Sequence, residues 1–298
     1  MHRCLLIFIT LIASSSYSLC AATALDLQDN DTIVFLGNTV IERAQKYGHL
    51  ETALTLATTQ KNLKFRNLGW SGDSVLGTAR SYFGPPSEGF RRLRDDLTEL
   101  QPNIVFLCYG AVAAHQGPKG LNEFISGYST LIKMINSAGK PRQIILLTPP
   151  PAENLGAPYP DLTSYQKNLQ IYRNAINELA QEQKLSSYPL TTTSAKLTDN
   201  GIHYTSAGYQ NLTQNLLKSL QLPERTTLTP EKISKLRDLI IAKNKLFFFR
   251  WRPANETYLR LFRKYEQGNN AKELPMFDPL IEEKEKEIEA IKQAILTK

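Results

Sequence analysis

The chain has 298 residues, 42% of them hydrophobic and 21% charged, with a net charge of +7 and a pI near 9.2. That apolar content supports one large packed domain with an appendage and excludes a disordered chain. Three cysteines and four histidines, without paired ligand spacing, exclude a disulfide scaffold and a structural zinc site.

The first residues predict a signal peptide over 1–24. "MHR" is a short basic start, "CLLIFITLIA" is an apolar run too short to span a bilayer, and Ala22-Thr23-Ala24 fits a small-x-small cleavage rule. The expected location is therefore secreted or periplasmic, with no membrane span in the processed chain. Cleavage removes Cys4 and Cys20 and leaves Cys108, which the pattern places as a core thiol. The positive charge would suit acidic polysaccharides or anionic surfaces. Its mixed distribution reads instead as ordinary solubility.

From Thr32 onward, strand and helix signals alternate. "TIVFLG" (32–37), "LKFRNLG" (63–69), "NIVFLCYG" (103–110), "RQIILLTP" (142–149) and "SSYPLTT" (186–192) read as five short strands. Helical periodicity fills the intervals over 40–58, 89–101, 120–139 and 163–183, and follows over 205–221. Apolar strands alternating with amphipathic helices predict an α/β fold, a three-layer α/β/α sandwich on a parallel sheet. Its crossovers run right-handed, and its site lies in the loops beyond the strand C-termini. Those loops are 37–40, 69–77, 110–118 and 149–162, all within a domain over 25–222.

After 222 the character changes, and residues 223–298 predict a helical C-terminal extension. Helices are expected over 229–251, 255–265 and 280–296, with an irregular stretch at 266–279. The run "FFFRWRPANETYLRLFRKY" interleaves aromatic and basic residues. Such a run suits sugar rings or nucleic acid, or a helix pair packing Arg stems over apolar surface. In an exported chain packing is the expectation, shielding a sheet edge or walling the cleft, with no nucleic-acid partner.

The loop "GWSGDSVLG" (69–77) carries a Gly-Asp-Ser run that offers Ser74 as a nucleophile. The alternative is that Asp73 and Ser74 hold the loop and cap the next segment. The blocks "FLGNTVIER", "NLGWSGDS", "YGAVAAHQG" and "TDNGIHYTSAGY" stand at the ends of the first, second, third and fifth strands. In this layout the chain resembles the SGNH/GDSL hydrolase family over roughly residues 30–222.

The resemblance implies a flavodoxin-like sandwich with a five-stranded parallel sheet. It implies an esterase acting on ester or acetyl groups of small or carbohydrate-like substrates, without metal or cofactor. Thr39 takes the nucleophile position, and Asn38 replaces the Asp before it. Gly69 and Gly72 fit the second block, whose glycine amide helps form the oxyanion hole. Gly110 fits the third, where Val112 stands in place of the family's Asn. His203 fits the base, with Asn200 in the orienting Asp position and Asp199 one step earlier.

Three alternatives stay open. Thr39 can cap the following helix, His115 can donate to the oxyanion or be an ordinary loop histidine, and Ser74 remains a second hydroxyl. Val112 has no donor, and a lost oxyanion donor costs ~10²–10³ in kcat. Asn200 cannot stabilise an imidazolium as a carboxylate does. The sequence therefore supports two expectations. One is an exported ester hydrolase with an altered site. The other is a catalytically inactive relative that binds a glycan or a protein partner. It leaves the oligomeric state open.

Overall fold

The computed structural model of the protein describes residues 24–224 and 228–296. The predicted signal peptide falls outside them, Ala24 excepted. Five strands form one all-parallel sheet, β1 Thr32–Gly37, β2 Lys64–Asn67, β3 Ile104–Cys108, β4 Gln143–Thr148 and β5 Ser186–Pro189, in the order β2-β1-β3-β4-β5.

The strands are apolar on both sides because both faces are covered, and the period-two alternation of β-structure sorts their side chains into two cores. Val34, Leu36, Val105, Leu107, Ile144 and Leu146 enter one core. There they meet α3 (Pro86–Leu100), α4 (Leu121–Ala138) and α5 (Thr163–Glu182). Their neighbours Ile33, Phe35, Ile104, Phe106, Ile145 and Leu147 enter the other, under α1 (Thr39–Tyr47), α2 (His49–Ala57) and α6 (Ser206–Ser219). Cys108 ends β3 inside this second core.

The single helix predicted over 40–58 is two. Gly48 has φ 68, and its amide closes α1 on Ala44 O at 3.0 Å. A Cβ there would lie 2.9 Å from Ile241 and 3.0 Å from Arg237. Gly48 thus serves both as a left-handed helix stop and as the point where the extension approaches.

The extension contains α7 (Pro230–Trp251), the single turns α8 (Glu256–Leu259) and α9 (Lys264–Gln267), and α10 (Phe277–Leu296). The helix predicted over 255–265 is thus two separate turns. The stretch read as irregular holds 3-10 turns over Gly268–Met276 that lead into α10. The extension is not a loose appendage. Phe247 and Ile281 join the α3–α5 core, and Leu236, Ile240 and Ile288 build a small core on Leu56 of α2.

It also covers the outermost strand. Lys243 Nζ donates to Phe65 O at 3.1 Å and pairs with Glu51 at 2.6 Å, and Arg66 pairs with Glu285 at 2.5 Å. An edge strand carries backbone groups that need partners, and the extension supplies one. Of the two places the sequence left for the tail, these contacts put it at the sheet edge. No described helix is long and apolar enough to cross a membrane.

Candidate active site

The loop after β1 is built tightly. A Cβ on Gly37 would sit 2.5 Å from Cys108 O, so the chain can pass β3 here only as glycine. Asn38 follows, 2% exposed, and its side-chain Nδ2 finds no partner. Thr39 opens α1, and its Oγ1 accepts the Gly72 amide at 3.3 Å. Its hydroxyl therefore reaches across to the second loop instead of capping its own helix.

In that second loop, Gly69 lies against α1 so closely that a Cβ would fall 2.2 Å from Glu42 N. Its amide donates to Asn67 Oδ1 at 2.8 Å, while Asn67 Nδ2 donates to Ile41 O at 2.7 Å. The Gly69 amide thus already has an acceptor. Asp73 is fully buried, pairs with Arg80 at 2.7 Å, and accepts from Tyr109 Oη at 3.3 Å and from Ala79 N at 3.2 Å. Ser74 Oγ accepts the Leu76 amide at 3.2 Å and lies 2.9 Å from Thr78 Oγ1. These bonds hold the loop. Ser74 opens, with Gly72, Gly110 and Val112, on a pocket of about 230 Å³ that His203 does not line.

His203 lines a second, smaller pocket of about 80 Å³ together with Asn38, Thr39, Val112 and His115. The structure thus gathers Thr39, Asn38, His203 and His115 at one place and puts Ser74, Gly72 and Gly110 next door. Val112 is the wall the two pockets share. His115 stacks on Tyr165 at 4.3 Å between ring centres, and Tyr165 Oη donates to Ala111 O at 2.9 Å. Burial pushes the Tyr165 hydroxyl up to about 12. Tyr165, Pro151, Ile202 and Tyr204 also line this pocket. Sequence reasoning singles out none of them. Tyr165 comes from α5 and Pro151 from the 149–162 loop, without a local motif, while Ile202 and Tyr204 flank His203 in its own block but offer neither a base nor its orienter.

The orientation of His203 follows from its hydrogen bonds. Asn200 Oδ1 accepts the amides of Ile202 at 3.3 Å and His203 at 3.0 Å, which turns Asn200 Nδ2 to His203 Nδ1 at 3.1 Å. An amide NH2 only donates, so Nδ1 is the accepting nitrogen and the ring proton of neutral His203 sits on Nε2. Burial, then Arg43, lowers the His203 pKa against the opposing pull of Asp199. At neutral pH the ring is therefore uncharged. Asp199 does not take over as orienter, because its carboxylate points to Arg43 at 3.3 Å and is 58% exposed. His203, with its proton on Nε2, and Asn38, whose buried Nδ2 has no partner, thus line the pocket that holds the Thr39 hydroxyl. Among the described residues no three His, Cys, Asp or Glu side chains gather as a metal site.

Comparison with known proteins identifies the family and the fold. The profile of the GDSL-like Lipase/Acylhydrolase family matches residues 37–210, which takes in the Thr39, Ser74 and His203 loops. Among solved structures, the fold is similar to a gut microbial diltiazem-metabolizing enzyme, BT4096, at 9% identity and a TM-score of 0.66. That match covers 91% of this chain and 97% of the other. It is also similar to a candidate GDSL-like lipase from Parabacteroides merdae, at 15% identity and a TM-score of 0.55, covering 67% of this chain and all of the other. At these identities the likeness concerns the fold, and for BT4096 it extends over most of the C-terminal region. The curated proteins give no match.

Proposed function

Because the chain belongs to the GDSL-like lipase/acylhydrolase family, we propose that it is an exported ester hydrolase for acyl or acetyl groups on small or carbohydrate-like molecules. Its reaction centre is the pocket of Thr39 and His203. The observation that carries this reading is that Thr39 and His203 line one small pocket at the C-terminal edge of the parallel sheet. The ester carbonyl oxygen accepts from Asn38 Nδ2, which has no partner in the free protein. Thr39 attacks the carbonyl carbon, and His203 takes its proton once the ring presents a free Nε2. The C–O bond to the alcohol then breaks, the alcohol leaves with the proton His203 has taken, and water activated by His203 cleaves the acyl-enzyme to release the acid and restore the Thr39 hydroxyl.

Two features hold the rate down. The Asn200 amide favours the ring tautomer with Nε2 protonated, and Val112 adds no oxyanion donor. The first of these also favours a second reading, in which the pocket binds an acyl or glycan oxygen without turning it over.

One comparison separates the two. Residues 25–298 are assayed on short-chain aryl esters and acetylated sugars beside Thr39→Ala, Ser74→Ala and His203→Ala. The hydrolase predicts activity that falls at least about tenfold in Thr39→Ala and His203→Ala and survives in Ser74→Ala. Turnover no higher than that of His203→Ala leaves binding as the function. Export is checked by the N-terminus of the secreted chain, expected at Leu25.

A further inference from the structure

A cavity of about 440 Å³ lies away from the Thr39 pocket, between α3, the loop after β2 and the extension. Its volume falls in the range of ligand sites. Its aromatic walls are Trp70, Tyr82 and Trp251. Trp70 meets Tyr82 at 5.6 Å and Trp251 at 5.7 Å between ring centres. These are the two tryptophans of the chain. Trp251 comes from the aromatic and basic run of the extension, so folding brings part of that run to this cavity.

Four arginines line the cavity, Arg80, Arg91, Arg92 and Arg260. Four carboxyl groups face them, Glu88, Asp95, Asp96 and Glu256. With Asp96 part-protonated near neutral pH the four arginines exceed the carboxylates by less than one charge, so charge alone favours an anion only weakly. The groups suit a ligand whose own groups both donate and accept. Asp96 adds to this, since burial, against Arg80 and with Glu99 and Asp95, pushes its carboxyl up to about 7.

Not every donor is satisfied. Arg80 is 1% exposed, held by Asp73 at 2.7 Å and Leu68 O at 2.7 Å, and its Nη1 has no partner. Arg92 Nε and Trp251 Nε1 are also without one. Buried donors in native proteins normally have an acceptor. Three unpartnered donors, buried within residues that line one aromatic cavity, leave hydrogen-bonding capacity there that an acceptor-rich guest could use after a small side-chain shift.

We propose that this cleft is a binding site for a neutral oligosaccharide, its hydroxyls among the arginines and carboxylates and its rings against the arginine–aromatic stacks, where Arg252 and Arg80 lie over Trp70 and Arg92 over Tyr82. The site joins the reaction pocket through one short loop. Trp70 donates its amide to Gly37 O at 2.9 Å, and Gly72 reaches Thr39 two residues on. Binding does not depend on turnover at Thr39.

Because both tryptophans are on the walls, intrinsic fluorescence reports on the cleft directly. Residues 25–298 are titrated with xylotetraose and cellotetraose, and with tetragalacturonate and inorganic phosphate as charged probes. A saturable change with a neutral tetraose is expected, unaltered in Thr39→Ala. Affinity falls about tenfold or more in Tyr82→Ala and in Arg260→Ala. Near-UV circular dichroism checks both variants, and if Tyr82→Ala is misfolded the exposed Arg260→Ala is read alone. The proposal is overturned if no neutral tetraose saturates the signal below about 10 mM. Binding confined to the charged probes, or equally strong in the folded cleft variants, overturns it too.

Discussion

Asn200→Asp tests the role of the tautomer most directly. The substitution keeps an oxygen for the Ile202 and His203 amides and puts a carboxylate oxygen where the NH2 faces His203 Nδ1 at 3.1 Å. Nδ1 then becomes the donor, and Nε2 turns a lone pair toward the pocket. At that distance, with an effective dielectric constant of about 20, the charge attracts an imidazolium by about 5 kcal/mol. The ring is half-exposed, so screening leaves about 2–3 kcal/mol, or a pKa higher by about two pH units. His203 moves from below its usual range, where burial and Arg43 hold it, to above.

The pH dependence of stability changes sign with it. In the parent, the stability from the neutral ring is complete above the unfolded pKa, near 6.5, and is lost as pH falls through the lower folded value. In the variant, the protonated pair stabilises below 6.5 and its contribution is lost as pH rises through the raised value. Long-range nitrogen NMR of the ring, titrated with pH, reads both the tautomer and the pKa. Ester hydrolysis should rise at least about tenfold, with a ceiling near the 10⁴ that an Asp-to-Asn change removes from such triads. A ring still protonated on Nε2, with its pKa unmoved, would refute the assignment of Asn200 as the group that sets the state of His203.

Four further outcomes follow from the packing and the burial of charged groups. Gly69→Ala forces a Cβ to 2.2 Å from Glu42 N and should destabilise by about 3 kcal/mol or more in urea unfolding. Gly72→Ala meets nothing within 4 Å and should cost only the 1–2 kcal/mol, roughly, of its φ of 75. Lys243→Met leaves the partly buried Glu51 with Asn244 Nδ2 as its remaining donor and Phe65 O without Lys243, and should cost about 2–3 kcal/mol, while adding Glu51→Leu should recover part of the loss. His49, whose pKa burial and then Arg237 lower to about 4, contributes stability that is complete above 6.5 and lost as pH falls toward 4. After solvent screening the loss is about 1–2 kcal/mol, and a His49→Gln variant should lack this limb of the pH profile.

Much of the scaffold was legible because its signals are local. The apolar runs at 32–37, 103–110 and 142–149 predict the three central strands, since a strand covered on both faces needs apolar residues at successive positions. Helix limits were less legible. Gly48 stops α1 partly because Ile241 and Arg237 arrive from the extension, and no window around residue 48 contains them.

The candidate site divides in the same way. Thr39 and His203 are named by the resemblance of their blocks to the family's motifs. The partner of the Gly69 amide and the hydrogen bonds of Ser74 are not, because they depend on how side chains turn once the loops meet.

By itself, then, the sequence determines the alternation of strands and helices, the positions of the four loops and the residue types they present, all set by neighbours along the chain. The tertiary structure decides that Thr39 shares a pocket with His203 while Ser74 opens on the next, and that the Asn200 amide faces the imidazole. It also brings the two tryptophans to one cleft between sheet domain and extension. Those outcomes rest on contacts between distant segments, and only the packed chain brings such segments within hydrogen-bonding reach.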